Sequence, residues 1–250
     1  MSRLTIITVC LNEVETIEKT MQSVLSQTFQ DFEWIIVDGL SSDGTLEIIK
    51  KYARRIDIMI SEKDNGVYDA MNKGIARAKS EYIYFLNGGD FIVSENTLEK
   101  IFSRKLYGDI VYGDIIAFDS LGRQTLMKMP SKITKHFHFK KTLPHQSTLI
   151  KKSLFDLVGH YDINYKIASD YYFTMKAIFK YHCSTQYIDE VFAVFGRGGL
   201  SENVSLREKE KKRIQQKVFT LSQIIACKML NQLILLRIFL KQKLAGLINL

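Results

Sequence analysis

Apolar residues recur along the first ninety positions in two alternating patterns. Residues 4–11 (LTIITVCL) form an almost unbroken β-branched and apolar run, as expected of a strand buried on both faces of a parallel sheet. Ile17, Met21, Val24 and Leu25 follow at helical spacing, and residues 32–37 (FEWIIV) read as a second buried strand ending at Asp38. A turn at Asp43-Gly44-Thr45 leads into a helix running to about Arg55. Residues 56–60 predict a third strand, 68–78 a helix and 82–86 (YIYFL) a fourth strand, which ends at Asn87-Gly88-Gly89-Asp90. Strands alternating with helices predict an α/β fold with a Rossmann-like parallel sheet covered on both faces. Beyond residue 110 the strands shorten (110–112, 115–118 and 147–150), which predicts a mixed sheet in the second half.

Ligands of such sheets bind beyond the carboxyl ends of the strands, and the polar residues sit there. Asn12, Asp38, residues 61–65, Asn87 and Asp90 each follow a predicted strand, so positions about 80 apart converge on one crevice. Strand ends are polar in many proteins, and any one of these residues also suits a turn or a cap.

Composition narrows the classes. With 250 residues, 46% hydrophobic and 25% charged, the chain suffices for one large domain or a domain with an extension, and is not disordered as a whole. Cys10, Cys183 and Cys227 share no short spacing, so neither a disulfide framework nor a metal knuckle is expected. The N-terminus enters a strand without the features of a signal peptide, which predicts a cytoplasmic protein. The net charge is +8, but residues 204–250 hold ten Lys and Arg against Glu208 and Glu210, leaving 25 against 25 elsewhere. A basic tail on a neutral body does not suggest a nucleic-acid partner.

Within that tail, residues 206–217 are a charged helical stretch. Residues 221–248 are apolar but interrupted by Lys228, Arg237, Lys241 and Lys243, so the longest uncharged run falls short of the roughly 20 residues that span a bilayer. The expectation is a basic amphipathic helix lying on a membrane surface, or packing on the preceding domain or a second subunit. Self-association stays open. No GxGxxG follows the first strand, and neither GxxxxGK[ST] nor GxSxG occurs, so dehydrogenase, P-loop and hydrolase readings lose their main support. His136 and His138 alternate on a segment read as extended, with no third ligand at a spacing that suggests zinc.

The segment ITVCLNEVETIEKTMQSVLSQTFQDFEWIIVDGLSSDGT closely resembles the nucleotide-binding half of family 2 glycosyltransferases, which have the GT-A fold, and the resemblance extends over about residues 3–200. SEKDNGVYDAMNKGIARAKSEYIYFLNGGD, LPHQSTLI, YKIASDYYF and FGRGGLSEN resemble a bacterial subgroup acting in exopolysaccharide assembly, such as the colanic acid transferases. The resemblance implies a catalytic domain over 1–203, with a nucleotide-binding half (1–90) and an acceptor half (91–203), followed by a helical tail (204–250). It implies an inverting transferase that moves a sugar from a nucleotide diphosphate donor to a glycan or lipid-linked acceptor, on the inner face of the plasma membrane.

By this resemblance Thr8, Asn12 and Glu13 lie along base and ribose, and Asp38 accepts the base's ring N–H. A carboxylate only accepts, and uracil and guanine both offer a ring N–H, so UDP donors are favoured and GDP donors stay open. Asp64 approaches the donor sugar or diphosphate; Lys63, Asn72, Lys73 and Gly74 match donor-side positions, with a solvated surface role equally open for the two lysines. Asn87 and Asp90 stand at the family's acidic metal motif, where a divalent cation, Mg²⁺ or Mn²⁺, meets the diphosphate. Gly89 replaces the usual carboxylate, leaving Asp90 as the only acid there. Asp170 matches the general base, His145 and Gln146 match an acceptor-side loop, and Arg197 is placed to neutralise the leaving diphosphate. The depleted acidic motif motivates an alternative, a non-catalytic nucleotide- or glycan-binding protein on the same fold.

Overall fold

The computed structural model describes residues 2–118, 122–196 and 203–248, with 241–248 as backbone. The first half runs β1 (Leu4–Cys10), α1 (Ile17–Leu25), β2 (Phe32–Asp38), α2 (Thr45–Lys51), β3 (Ile58–Ser61), α3 (Val67–Arg77) and β4 (Tyr82–Phe85). There follow β5 (Phe91–Ile92), α4 (Thr97–Phe102), β6 (Ile110–Phe118), β7 (Gln124–Met127), α5 (Lys135–Lys140), β8 (Thr148–Lys151), α6 (Ser153–Val158), α7 (Ser169–Met175) and β9 (Thr185–Gly196). Two helices close the chain, α8 (Val204–Val218) and α9 (Leu221–Ile248).

The described strands form one sheet in the order β3-β2-β1-β4-β8-β6-β9-β5, with β7 paired to β6. β3, β2, β1 and β4 are parallel, whereas β8 is antiparallel to both β4 and β6. The α/β architecture with a parallel half continuing into a mixed half therefore holds. Every residue of β1 and β4 is buried, because helices cover both faces. Alternate residues serve the two layers: Ile7, Val9, Ile35 and Val37 pack with Met71 and Ile75 of α3, and Leu4, Ile6, Trp34 and Ile36 pack with Ile17, Met21 and Val24 of α1.

Several boundaries differ from the sequence reading. The helix expected to reach Arg55 ends at Lys51 and gives way to a 3₁₀ turn over Ala53–Arg55. The strands expected at 110–112 and 115–118 are one strand, β6, whose register against β9 shifts on both sides of Asp114. Gly113 marks this bulge, because a Cβ there would lie 2.3 Å from the Phe192 ring. The segment of His136 and His138 is helix α5, not extended, and starts where Thr134 Oγ1 accepts from Phe137 N. His138 is a core residue bonded to Thr174 Oγ1 and the Lys141 carbonyl; burial lowers its pKa to about 4, which keeps it neutral.

The two halves of the tail behave differently. The charged half, α8, packs on the preceding domain, one of the two arrangements expected of the tail: Ile214 and Phe219 join Tyr165, Tyr171 and Met175 in a separate apolar cluster. Gln215 donates to the Phe139 carbonyl, and Lys211 to that of Lys140. Burying Ile214 alone contributes about 2 kcal/mol, so residues 204–219 belong physically to the domain. The apolar half, α9, is not amphipathic. Leu221, Ile225, Met229, Leu230, Leu233, Ile234, Leu235, Leu236, Ile238, Phe239 and Leu240 are exposed and are distributed around its whole circumference. The 20-residue stretch Leu221–Leu240 is long and apolar enough to cross a bilayer, and only 6% of it is buried. Lys228 and Arg237 shorten the uncharged runs of this stretch but are the two charged residues in it.

Candidate active site

The crevice lies at the carboxyl edge of β3, β2, β1 and β4, where the parallel register aligns Cys10 with Asp38 and Asp38 with Ser61. Asn12 leaves β1 in a left-handed conformation (φ 55°), which asparagine tolerates better than most residues. Its Oδ1 accepts from Ser42 N and its own N–H donates to Ser41 Oγ; the N–H groups of Glu13 and Val14 donate to Thr45 Oγ1 and Asp43 Oδ2. The loops after β1 and β2 are thus knitted together and leave a hollow of ≈ 300 Å³ between Asn12, Glu13, Thr16 and Asp43.

Two residues assigned to the base turn inward. Thr8 is fully buried, and its hydroxyl accepts from Trp34 Nε1 at 3.1 Å, so its side chain does not line the crevice. Asp38 is also fully buried: it accepts from the Ser41 amide and hydroxyl and from Ser61 Oγ at 2.7 Å. A base meets this carboxylate only after Ser41 or Ser61 moves aside. Asp38 also faces Cys10, whose thiol is pushed up in pKa by burial and then by this carboxylate. Asp64 lies against Gly39, where a Cβ would stand 2.4 Å from its Oδ2, and its Oδ1 accepts from Gly66 N.

The expected donor-side residues of α3 are engaged with neighbouring elements. Asn72 makes a reciprocal pair with the Tyr161 backbone, donating to its carbonyl at 2.8 Å and accepting from its N–H at 3.0 Å. Lys73 is held by Glu62 at 2.9 Å and by the Lys63 carbonyl, while the Lys63 side chain is exposed. Gly74 allows α3 to approach β1, since a Cβ there would lie 2.6 Å from Ile7 Cγ2.

At the end of β4 the expected residues do assemble. Asp90 is 7% exposed and accepts from Gln146 Nε2 at 3.0 Å. Burial raises its pKa to about 6; His145 and the Gln146 hydrogen bond oppose that rise, and Glu13 adds to it. Glu13 therefore sits beside the Asn87–Asp90 turn, with Thr16 Oγ1 donating to its Oε2 at 2.6 Å. His145 lies between two acids: Nε2 is 4.0 Å from Asp90 Oδ2, and Nδ1 is 3.7 Å from Asp170 Oδ2. Asn87 Nδ2 is 3.1 Å from His145 Nε2, and Tyr84 OH donates to the Gln146 carbonyl. The antiparallel pairing of β8 with β4 creates this meeting, because β8 begins where β4 ends.

Asp170 stands in the first turn of α7, one residue beyond Ser169, and Ala168 is the capping position. Its Oδ1 accepts from Tyr171 N at 2.8 Å and from Tyr68 OH at 3.0 Å, which leaves Oδ2 toward His145. Tyr68 OH also lies 2.7 Å from the Ile167 carbonyl, and burial, followed by the charge of Asp170, keeps the phenol neutral. Sequence reasoning missed Tyr68, whose one signal is that a buried tyrosine requires a polar partner. It also missed Glu210 of α8, an acid in a basic run, whose carboxylate accepts from the backbone N–H groups of residues 166–168. Arg197 lies outside the described residues.

Among the described residues no group of three or more His, Cys, Asp or Glu side chains is arranged to hold a metal. One feature suits a sparser site: Asn87 Oδ1 is buried without a hydrogen-bond partner. A neutral oxygen needing a partner, next to one carboxylate, fits a hard cation that takes its other ligands from diphosphate and water.

The family described as Glycosyl transferase family 2 matches residues 5–166. A PGL/p-HBAD biosynthesis glycosyltransferase of Mycobacterium bovis is 30% identical over 210 residues, covering 79% of this chain and 78% of the relative. Among solved structures, S. aureus TarS 1-349 in complex with UDP-GlcNAc superposes with a TM-score of 0.69 at 19% identity, over 86% of this chain and 65% of that one. The mannosyltransferase PcManGT from Pyrobaculum calidifontis, in complex with GDP-Man and Mn2+, superposes with a TM-score of 0.58 at 15% identity, over 84% of this chain and 61% of that one. The chain thus spans about three fifths of the length of these solved neighbours.

Proposed function

Because the chain belongs to glycosyl transferase family 2, we propose that it is an inverting transferase moving a sugar from a nucleoside diphosphate onto a hydroxyl of a glycan or lipid-linked oligosaccharide, in assembly of a bacterial surface polysaccharide. The observation that carries this reading is the pairing of Asp90 and Asp170 on opposite sides of His145. One carboxylate stands at the diphosphate end of the crevice, and the other has an oxygen available to a nucleophile. Asp170 Oδ2 takes the proton of the acceptor hydroxyl as its oxygen attacks the anomeric carbon from the face opposite the leaving diphosphate, which inverts that carbon. Tyr68 and the Tyr171 amide hold Oδ1, so the carboxylate does not rotate away. Asn12, Glu13 and Asp64 border the nucleotide, and His145 and Gln146 face the acceptor side.

A divalent cation would be held by Asp90 and Asn87 Oδ1, and when bound it neutralises charge on the departing diphosphate. TarS is described with UDP and UDP-GlcNAc and PcManGT with GDP-Man and Mn2+, which supports a nucleotide-sugar donor and leaves UDP favoured over GDP. Membrane attachment is the reading that α9 supports: the stretch 221–240, at 1.5 Å per residue, reaches roughly 30 Å, the thickness of bilayer hydrocarbon. The catalytic body then faces the cytoplasm, near a lipid-linked acceptor.

The test is a thermal-shift panel of UDP, GDP, ADP and CMP with and without Mn²⁺, combined with UDP release from UDP-sugars in the presence of p-nitrophenyl glycosides. Mn²⁺-dependent stabilisation by one nucleoside diphosphate, absent in Asp90→Ala, is expected. Asp170→Asn is expected to keep that binding and lose turnover. Absence of stabilisation by any nucleotide overturns the transferase site, and turnover by Asp170→Asn overturns its base.

A further inference from the structure

The base at Asp170 follows a capping position that cannot cap. Ala168 precedes α7 without a side-chain oxygen, although the helix start needs acceptors for its free N–H groups. Asp170 itself takes the Tyr171 amide, and the segment that leads into the helix is held by another element. Glu210 of α8 is 4% exposed; its Oε1 accepts from Lys166 N at 2.8 Å, and its Oε2 from Ile167 N and Ala168 N, both at 3.0 Å. The peptide between Ile167 and Ala168 is consequently gripped on both sides, its N–H by Glu210 and its carbonyl by Tyr68 OH at 2.7 Å. That same hydroxyl reaches Asp170 Oδ1.

We propose that Glu210 is a positioning residue for the transfer step: through the Ile167–Ala168 peptide and Tyr68 it fixes the direction in which Asp170 presents its available oxygen. The inference rests on the reading of Asp170 as the base. It requires a carboxylate at this position. Three N–H donors converge on two acceptor oxygens, and a glutamine turns one of those oxygens into an NH₂ that faces a donor with a donor. An aspartate is one methylene too short to reach the same three groups. Glu210 touches neither the crevice nor a reacting atom, so its loss affects the chemical step and leaves the nucleotide end of the crevice, built from β1, β2 and β4, unaltered.

Glu210→Gln, nearly the same in volume, is compared with wild type, Tyr68→Phe, the double variant and Asp170→Asn. Each is assayed for UDP affinity with Mn²⁺ by thermal shift, and for kcat and KM in UDP release from a UDP-sugar with p-nitrophenyl glycosides as acceptors. Glu210→Gln is expected to bind UDP like wild type, keep the donor KM and lose about tenfold in kcat, a part of the 10²–10⁴ that a positioned base supplies. Its effect in the Tyr68→Phe background is expected to be clearly smaller than alone, because both grip one peptide. Wild-type kcat in Glu210→Gln overturns the proposal, as do fully additive effects. If Glu210→Gln does not fold, Glu210→Asp decides: a wild-type kcat there overturns it, and a kcat loss at unchanged UDP affinity, smaller in the Tyr68→Phe background, upholds it. Turnover in Asp170→Asn identifies failure of the base reading itself, a result separate from inert Glu210→Gln beside inactive Asp170→Asn.

Discussion

Replacing Asp90 by asparagine should make the cation-free protein more stable above about pH 7 and leave it unchanged below about pH 4. Burial raises the Asp90 carboxyl to about 6 from an ordinary 3.8, so the folded chain holds this proton more tightly than the unfolded one. A group whose folded pKa is raised contributes its full stability below the unfolded value and loses it as the pH rises through the folded value. Two pH units at about 1.4 kcal/mol each give roughly 3 kcal/mol of stability lost by wild type across that window. Asparagine has no such ionisation, and its amide oxygen still accepts from Gln146, as Asp90 Oδ2 does. At about 2–4 °C per kcal/mol for a chain of this size, the variant should melt roughly 5–10 °C higher at pH 8. Melting curves of both proteins from pH 4 to 8 in a chelator measure this directly. A variant no more stable than wild type at pH 8, or a difference that does not grow with pH, refutes the buried-carboxylate argument. Adding Mn²⁺ and UDP at pH 8 should reverse the order, because only the ionised carboxylate provides a charged ligand.

Two further outcomes follow from packing. Gly88→Ala places a methyl group 2.9 Å from Glu13 Cγ and 3.2 Å from Cys10 Cβ, so a loss of about 1–3 kcal/mol and weaker UDP binding are expected, as for other overpacked sites; calorimetry and titration check both, and wild-type values would contradict the tight approach. Truncation after Thr220 removes α9 and keeps α8, so the shortened protein should retain UDP binding but no longer float with phosphatidylglycerol-containing liposomes. Undiminished flotation would assign membrane attachment to another part of the chain.

What the sequence made legible divides along burial. β1, β2 and β4 read directly because strands covered on both faces must be continuously apolar. β6 read as two strands because a bulge at Gly113 and Asp114 looks like a break when the partner strand is unknown. In α5 the alternation of His136, Phe137, His138 and Phe139 imitated a strand, whereas a Thr134 cap and the burial of His138 hold one short helix. For the site, strand ends pointed to Asn87 and Asp90, and the family resemblance pointed to His145, Gln146 and Asp170, which lie beside them. They did not tell which side chains satisfy one another: Thr8 with Trp34, Asp38 with Ser41 and Ser61, and Asn72 with Tyr161 are pairings between elements that periodicity does not encode. Glu210 lies more than 40 positions from its partners, and nothing local distinguishes it from the charged residues around it.

The antiparallel ladder between β4 and β8, with Tyr82 opposite Lys151 and Tyr84 opposite Leu149, has a bearing on how such an enzyme diversifies. That ladder sets the separation of the β4 end, with Asn87 and Asp90, from His145 and Gln146 at the start of β8 by the spacing of adjacent strands, about 4.8 Å. A chimera that joins this nucleotide half to the second half of a relative inherits a working distance only if the ladder keeps its register. A one-residue slip would carry His145 and Gln146 away from Asp90 and turn every β8 side chain to the opposite face. Side chains and loops along that edge can vary while the strand pair itself holds the residues of the site at a constant separation.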